Sequence, residues 1–106
     1  MKRAAEFRFI AELWRWQSAS GPGAWHFVTL PADMAVEIRL RGMDGRRKGF
    51  GSVRVEATIG GTTWRTSIFP ASNLDSYLLP VKAAVRRAEA IDAGDAVPVG
   101  IDLLEG

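Results

Sequence analysis

A chain of 106 residues with no stretch that reads as a linker is one domain's worth of sequence, and at this length roughly 65% of the unfolded chain's surface is buried on folding, enough for a single core. The absence of cysteine excludes disulfides, thiolate nucleophiles and Cys-based zinc sites, so stability has to come from apolar packing, and the composition suits a reducing, cytoplasmic setting. Fourteen basic against twelve acidic side chains leave a net charge of +2, interleaved rather than gathered into the stripe of a dedicated nucleic-acid binder, and no uninterrupted apolar run offers a signal peptide or a membrane span.

In chain order, Glu6 to Trp16 alternates, with Phe7, Phe9, Ala11 and Leu13 on one side and Arg8, Ile10, Glu12, Trp14 and Trp16 on the other, which is the period of a strand. Ser18 to Gly23 is a turn cluster, and Ala24 to Leu30 is a second strand expected to pair antiparallel with the first. After Pro31, the spacing of Met34, Ala35, Ile38 and Arg41 predicts a short helix, although Val36, Ile38 and Leu40 also fit a period of two. Gly42 to Gly51 has no apolar period and reads as a mobile basic loop. Ser52 to Ile59 and Thr62 to Phe69 are the clearest strands, joined by Gly60-Gly61, a pair that tolerates the positive φ of a two-residue hairpin turn. That turn sets Ile59 opposite Thr62, Ala57 opposite Trp64 and Val53 opposite Ile68 on the inner face, with Trp64 in the core and Glu56 opposite Arg65 outside.

Pro70 to Asp75 is a loop, and Tyr77 to Leu79 is extended because the residue before Pro80 is pushed out of the helical region. A helix is expected from Pro80 to about Ala93-Gly94, with Val81, Ala84, Val85 and Ala88 inward and Lys82, Arg86, Arg87 and Glu89 outward. The last strand, Asp95 to Leu104, turns Val97, Val99, Ile101 and Leu103 to one face, and Pro98 suggests an edge position. The sum is a mainly β fold: a small β-barrel or strongly curved antiparallel sheet of about six strands with two short helices.

The segments Ala11-Glu12-Leu13-Trp14, Trp25-His26-Phe27-Val28-Thr29-Leu30-Pro31, Trp64-Arg65-Thr66-Ser67-Ile68-Phe69-Pro70, Tyr77-Leu78-Leu79-Pro80-Val81-Lys82 and Ala93-Gly94-Asp95 stand in an order that resembles the DUF1905 family of small bacterial domains. The resemblance covers nearly all of 1–106 as a single domain. It implies a small β-barrel with two helices, and some members are similar to segments found beside YdeI/OmdA-type domains. The family is one of unknown function, so the resemblance brings no catalytic residue with it. Pro98 and Gly100 are unusual inside such a final strand.

Candidate chemistry therefore rests on the residues themselves. His26 is the only histidine, with Asp33 as a possible orienting carboxylate, but no nucleophile motif accompanies it, and a histidine between Trp25 and Phe27 in a strand is more often structural. The acidic residues are too scattered to replace missing Cys and His ligands, so neither a metal nor a cofactor is expected. Gly45-Arg46-Arg47-Lys48-Gly49-Phe50-Gly51 lacks the Lys-Ser/Thr ending of a phosphate loop and leads into a strand, leaving a basic finger or a merely solvated loop. Ser67 and Lys82 lack the spacing of a Ser-Lys dyad.

The sharper constellation is Arg54, Arg65, Tyr77, Lys82 and Arg86, which strands and a helix start can bring to one side of a barrel, against the plain alternative that Arg65 pairs with Glu56 and the rest are solvated. Trp14 and Trp16, on the face opposite Phe7 and Phe9, are the tryptophans best placed to bind. The expected function is a non-catalytic binding module for a small, anionic ligand or a protein partner, with Lys82 and Arg86 as contacts and Arg87 pointing elsewhere. Two alternatives stay open: a small hydrolase or isomerase using Lys82, Tyr77 or His26, and nucleic-acid binding through Arg46-Arg47-Lys48.

Overall fold

The computed structural model describes residues 5–17, 23–42, 51–71 and 76–104. Within them run β1 (Phe7–Glu12), β2 (Trp14–Gln17), β3 (Ala24–Thr29), α1 (Ala32–Gly42), β4 (Val53–Ile59), β5 (Thr62–Ala71), β6 (Ser76–Pro80), α2 (Ala83–Glu89) and β7 (Ala96–Leu103). All strand pairs are antiparallel, and the sheet order β1-β7-β4-β5-β6-β3-β2 curls into a half-barrel. The mainly β fold with two short helices is as expected, with seven strands in place of about six. Most of the expected basic loop (43–50), most of the first turn (18–22) and residues 72–75 lie outside the described residues.

The additional strand comes from the first alternating segment, which is divided by Leu13. Phe7–Glu12 pairs with β7 and Trp14–Gln17 pairs with β3, so only the second half makes the pair expected of the whole. Leu13 belongs to neither ladder. Its side chain is fully buried, its N–H donates to the Asp95 carbonyl at 2.9 Å, and its carbonyl accepts from the Gly94 N–H at 2.7 Å. β1 and β2 are the two edges of the sheet, so this one bent segment ties both edges together.

The β4–β5 hairpin has the register its turn dictates: Ile59 faces Thr62, Ala57 faces Trp64, Glu56 faces Arg65 and Val53 faces Ile68. Gly60 at its tip has φ 59°, which a residue with a Cβ adopts only at a cost. Inward alternation of Val53, Val55, Ala57 and Ile59 with Val97, Val99 and Ile101 of β7 forms the centre of the core, joined by Leu13, Val28, Ile68 and Leu79. From the helices, Ala35 and Ile38 of α1 and Val85 of α2 complete it.

Three expectations are corrected. β7 lies between β1 and β4 instead of at an edge; pairing with β4 starts at Val99, so Pro98 falls where β7 is flanked only by β1 and no β4 residue needs its missing N–H. α2 starts at Ala83 rather than Pro80, because Pro80 is still paired with Phe27 in the sheet, and it stops at Glu89, where Ala90 turns left-handed (φ 54°, ψ 46°) and its N–H returns to the carbonyls of Arg86 and Arg87. Trp64 is only partly buried, packed against the core from its margin. No described helix is long and apolar enough to cross a membrane.

Candidate functional site

The sheet parts where β6 ends. On the β6 side, strand pairing stops at Phe69 on β5 and at Phe27 on β3, with one further bond from the Val81 N–H to the His26 carbonyl at 2.9 Å. Beyond those points β5 and β3 run on, and the chain between them leaves the sheet at Pro80 to enter α2. The result is an opening of about 500 Å³, within the range of small-molecule sites, walled by Trp64, Arg65, Thr66 and Phe69 of β5, by Ala24, Trp25 and His26 of β3, and by Pro80 to Ala83 and Arg86.

Its charges are cationic. Arg65 projects from the outer face, 69% exposed, and its Nε stands 3.8 Å from a Glu56 carboxylate oxygen, a loose and solvated pair. Arg86, half-buried, donates from Nε to the Val81 carbonyl at 3.3 Å, which holds its guanidinium against the start of its own helix. Lys82 is exposed at the N-cap of α2, makes no side-chain cap, and has no carboxylate partner among the described residues. A seven-residue helix adds little dipole, so the positive character here is that of side chains.

His26 reaches the opening from the inward face of β3. It is 9% exposed, and its Nδ1 is buried without a hydrogen-bond partner among the described residues. A buried polar atom left unpaired costs free energy, so it marks a place where a partner is to be expected. Burial first, then the positive charges of Arg86 and Arg15, hold its pKa below the ordinary 6.5 against an opposing pull from Asp92. His26 is therefore neutral at pH 7.

The outer face beside this opening is aromatic. Trp14 stands opposite Phe27 and Trp16 opposite Trp25 on the β2–β3 ladder. Trp14 and Phe27 lie 5.1 Å apart between ring centroids, and Trp25 and Phe27 are stacked at 6.1 Å with 8° between planes. The Trp14 Nε1–H donates to Thr29 Oγ1 at 3.0 Å, which fixes that ring, while Trp16 and Trp25 are 50% and 59% exposed. With Phe69, Ala71 and Leu78 these rings line a shelf of about 560 Å³.

Of the residues singled out from sequence, Arg65, Lys82 and Arg86 meet at the opening, and Trp14 and Trp16 meet on the shelf. Tyr77 does neither: at 3% exposure it is part of the core, its carbonyl accepting the Leu30 N–H at 3.0 Å. Arg54 is exposed on β4 opposite Ser67 and lines neither feature. Arg87 is exposed and also apart from the lining, and Arg46, Arg47 and Lys48 lie outside the described residues. The sequence reading undervalued His26, Trp25 and Phe69. The signal for Trp25 was available, since it alternates with His26 and must share the outer face with Phe27; that β6 would leave the sheet beside His26 had no local signal.

A second, broader depression of about 1140 Å³ covers the outer face of β1, β7 and β4, where Arg8 is offset by Glu56 and Asp102, and no buried polar atom there lacks a partner among the described residues. No group of three or more His, Cys, Asp or Glu among the described residues is placed to hold a metal ion.

The sequence model of one family, DUF1905, a domain of unknown function, matches residues 9–101. The chain belongs to the DUF1905 family. The match includes every residue of the opening and of the aromatic shelf, so both lie within the DUF1905 domain itself. No curated protein matches the chain.

Proposed function

We propose that this DUF1905 domain is a non-catalytic binding module whose ligand is small and anionic and sits in the opening between β3 and β5. The observation that carries the reading is the convergence of Arg65, Lys82 and Arg86 on a depression that His26, whose buried Nδ1 has no hydrogen-bond partner among the described residues, also lines. Three cations, of which Arg65 alone has a carboxylate within ion-pair distance among the described residues and that one loosely, attract an anion, and the low-dielectric floor beneath strengthens that attraction relative to open surface. His26, neutral at pH 7, lines the same depression and adds a polar wall to the charge. The Lys82 ammonium supplies a mobile point charge, and the Arg86 guanidinium, tethered by Val81, supplies a fixed one.

Titration with inorganic phosphate, followed on the backbone amides of 24–26 and 81–86, tests the reading. Phosphate is expected to shift those amides and to raise the pKa of His26, since a bound anion favours the imidazolium. Lys82→Ala and Arg86→Ala are expected to weaken binding at least about fivefold each, the usual size of a charge-assisted contact, while Arg87→Ala leaves it within experimental error. Equal losses in all three variants mean diffuse attraction and overturn the site.

A further inference from the structure

We infer that the ligand of the opening carries a flat ring, aromatic or heteroaromatic, joined by a short link to its anionic group, and that the ring lies on the shelf of Trp16 and Trp25 while the charge sits among Lys82 and Arg86. The inference rests on the anion site proposed above and adds what is attached to the anion. Trp25 and Phe69 belong to both linings, so the cationic opening and the aromatic shelf are two parts of one continuous surface.

The shelf is unusual for a solvent-facing sheet. An outward strand face normally carries polar side chains, yet here Trp16, Trp25 and Phe69 are 50%, 59% and 46% exposed side by side. Trp14 is held by Thr29 and Phe27 is packed between Trp14 and Trp25, so the outermost rings stand on a fixed base and lose little freedom when something stacks on them. Broad π faces favour a planar partner over a flexible aliphatic chain. The shelf, about 560 Å³, is of a size that fits a single ring. Charge at one end only, with apolar rings at the other, selects a molecule polarised in the same sense.

Three joined probes, adenosine 5′-monophosphate, phenyl phosphate and indole-3-acetate, are titrated into the full chain with tryptophan fluorescence and amide shifts as readouts, beside their separate halves: adenosine, phenol and indole, and phosphate and acetate. At least one joined probe is expected to bind about tenfold or more tighter than either of its halves, the size of one good stacking contact. Trp25→Ala and Trp16→Ala, both exposed and expected to fold as judged by thermal melts, should abolish that gain, and Trp16→Ala, which lines the shelf alone, should leave phosphate binding unchanged. Lys82→Ala should weaken phosphate and joined probes alike. If phosphate binds but no joined probe gains over its halves, or the gain survives both tryptophan variants, the ring inference is overturned and the anion site stands. If neither phosphate nor any joined probe shifts the amides of 81–86, both fail. Which joined probe gains most separates nucleotides from simple aryl anions.

Discussion

Ala90 is the only described non-glycine residue with positive φ, and it ends α2 at 54° and 46°. The left-handed region brings a Cβ close to the following carbonyl, so Ala90→Gly is expected to raise stability by about 1 kcal/mol, read as a shift in denaturation midpoint at constant slope. His26 makes a prediction of opposite character. Its pKa lies below 6.5 in the folded protein, so between those two values the unfolded chain binds more protons than the folded one. Stability is therefore fully present above about pH 6.5 and falls as pH drops toward the folded pKa. Denaturant melts at pH 7.5 and 5.5 are expected to show a smaller loss in His26→Gln than in the parent, and equal losses would mean that His26 is not held neutral by its surroundings. Arg65 shows how a correct register and a modest energy go together: Glu56 is opposite it, but at 3.8 Å and with both groups wet the pair contributes well under about 1 kcal/mol, so Arg65→Ala should barely move the midpoint.

At the scale of elements, α2 and the β4–β5 hairpin are joined through a contact that neither contains alone. Glu89, in the last turn of the helix, accepts from the Thr62 hydroxyl at 2.6 Å, and its carboxylate lies where a Cβ on Gly60 would be. Gly60→Ala thus meets two costs, the positive φ and the displacement of Glu89 from Thr62. A loss of about 1–2 kcal/mol is expected, and Glu89→Ala should remove the second cost, so the two substitutions combine to less than their sum. Strict additivity in that cycle would show that the helix end does not lean on the turn. Trp64 belongs to this scale too. A fully buried aromatic truncated to alanine costs about 3–5 kcal/mol, whereas Trp64 is only partly buried at the opening, and about 2 kcal/mol is expected for Trp64→Ala. The alternation of β5 put it on the correct side of the strand, but its burial depended on whether a further strand covered it, and β6 stops short.

For the whole molecule, Leu13 decides whether the sheet closes. Its side chain is buried to 0% exposure, and its backbone bonds to Gly94 and Asp95 pin the point at which the first segment passes from one edge to the other. Leu13→Ala is expected to cost about 3–4 kcal/mol, a large share of the stability of so small a domain, with a melting point lower by many degrees. At the other end of β1, Arg41 secures the edge from outside: it pairs with Glu37 one turn earlier on α1 at 2.6 Å and with Glu6, and its guanidinium lies 5.2 Å from the centroid of the Phe7 ring.

What the sequence determined by itself is what short-range chemistry determines. A period of two, a Gly-Gly pair and a proline dictated the hairpin, its seven-residue register, the extended stretch before Pro80 and the inward faces of β4 and β7, because each follows from φ preferences and side-chain alternation within a few residues. The family resemblance was legible for the same reason, carried by consecutive segments in order. Tertiary structure alone decided the rest. That Leu13 would bend one strand into both edges, that Pro98 would find a local gap in β4's coverage, that Tyr77 would be sealed in the core, and that Lys82, Arg65, Arg86 and His26 would surround one opening beside Trp16 and Trp25 all depend on where distant strands end relative to one another. Such ends are set by closure of the curled sheet around a shared core, a condition on the entire chain that no window of sequence contains.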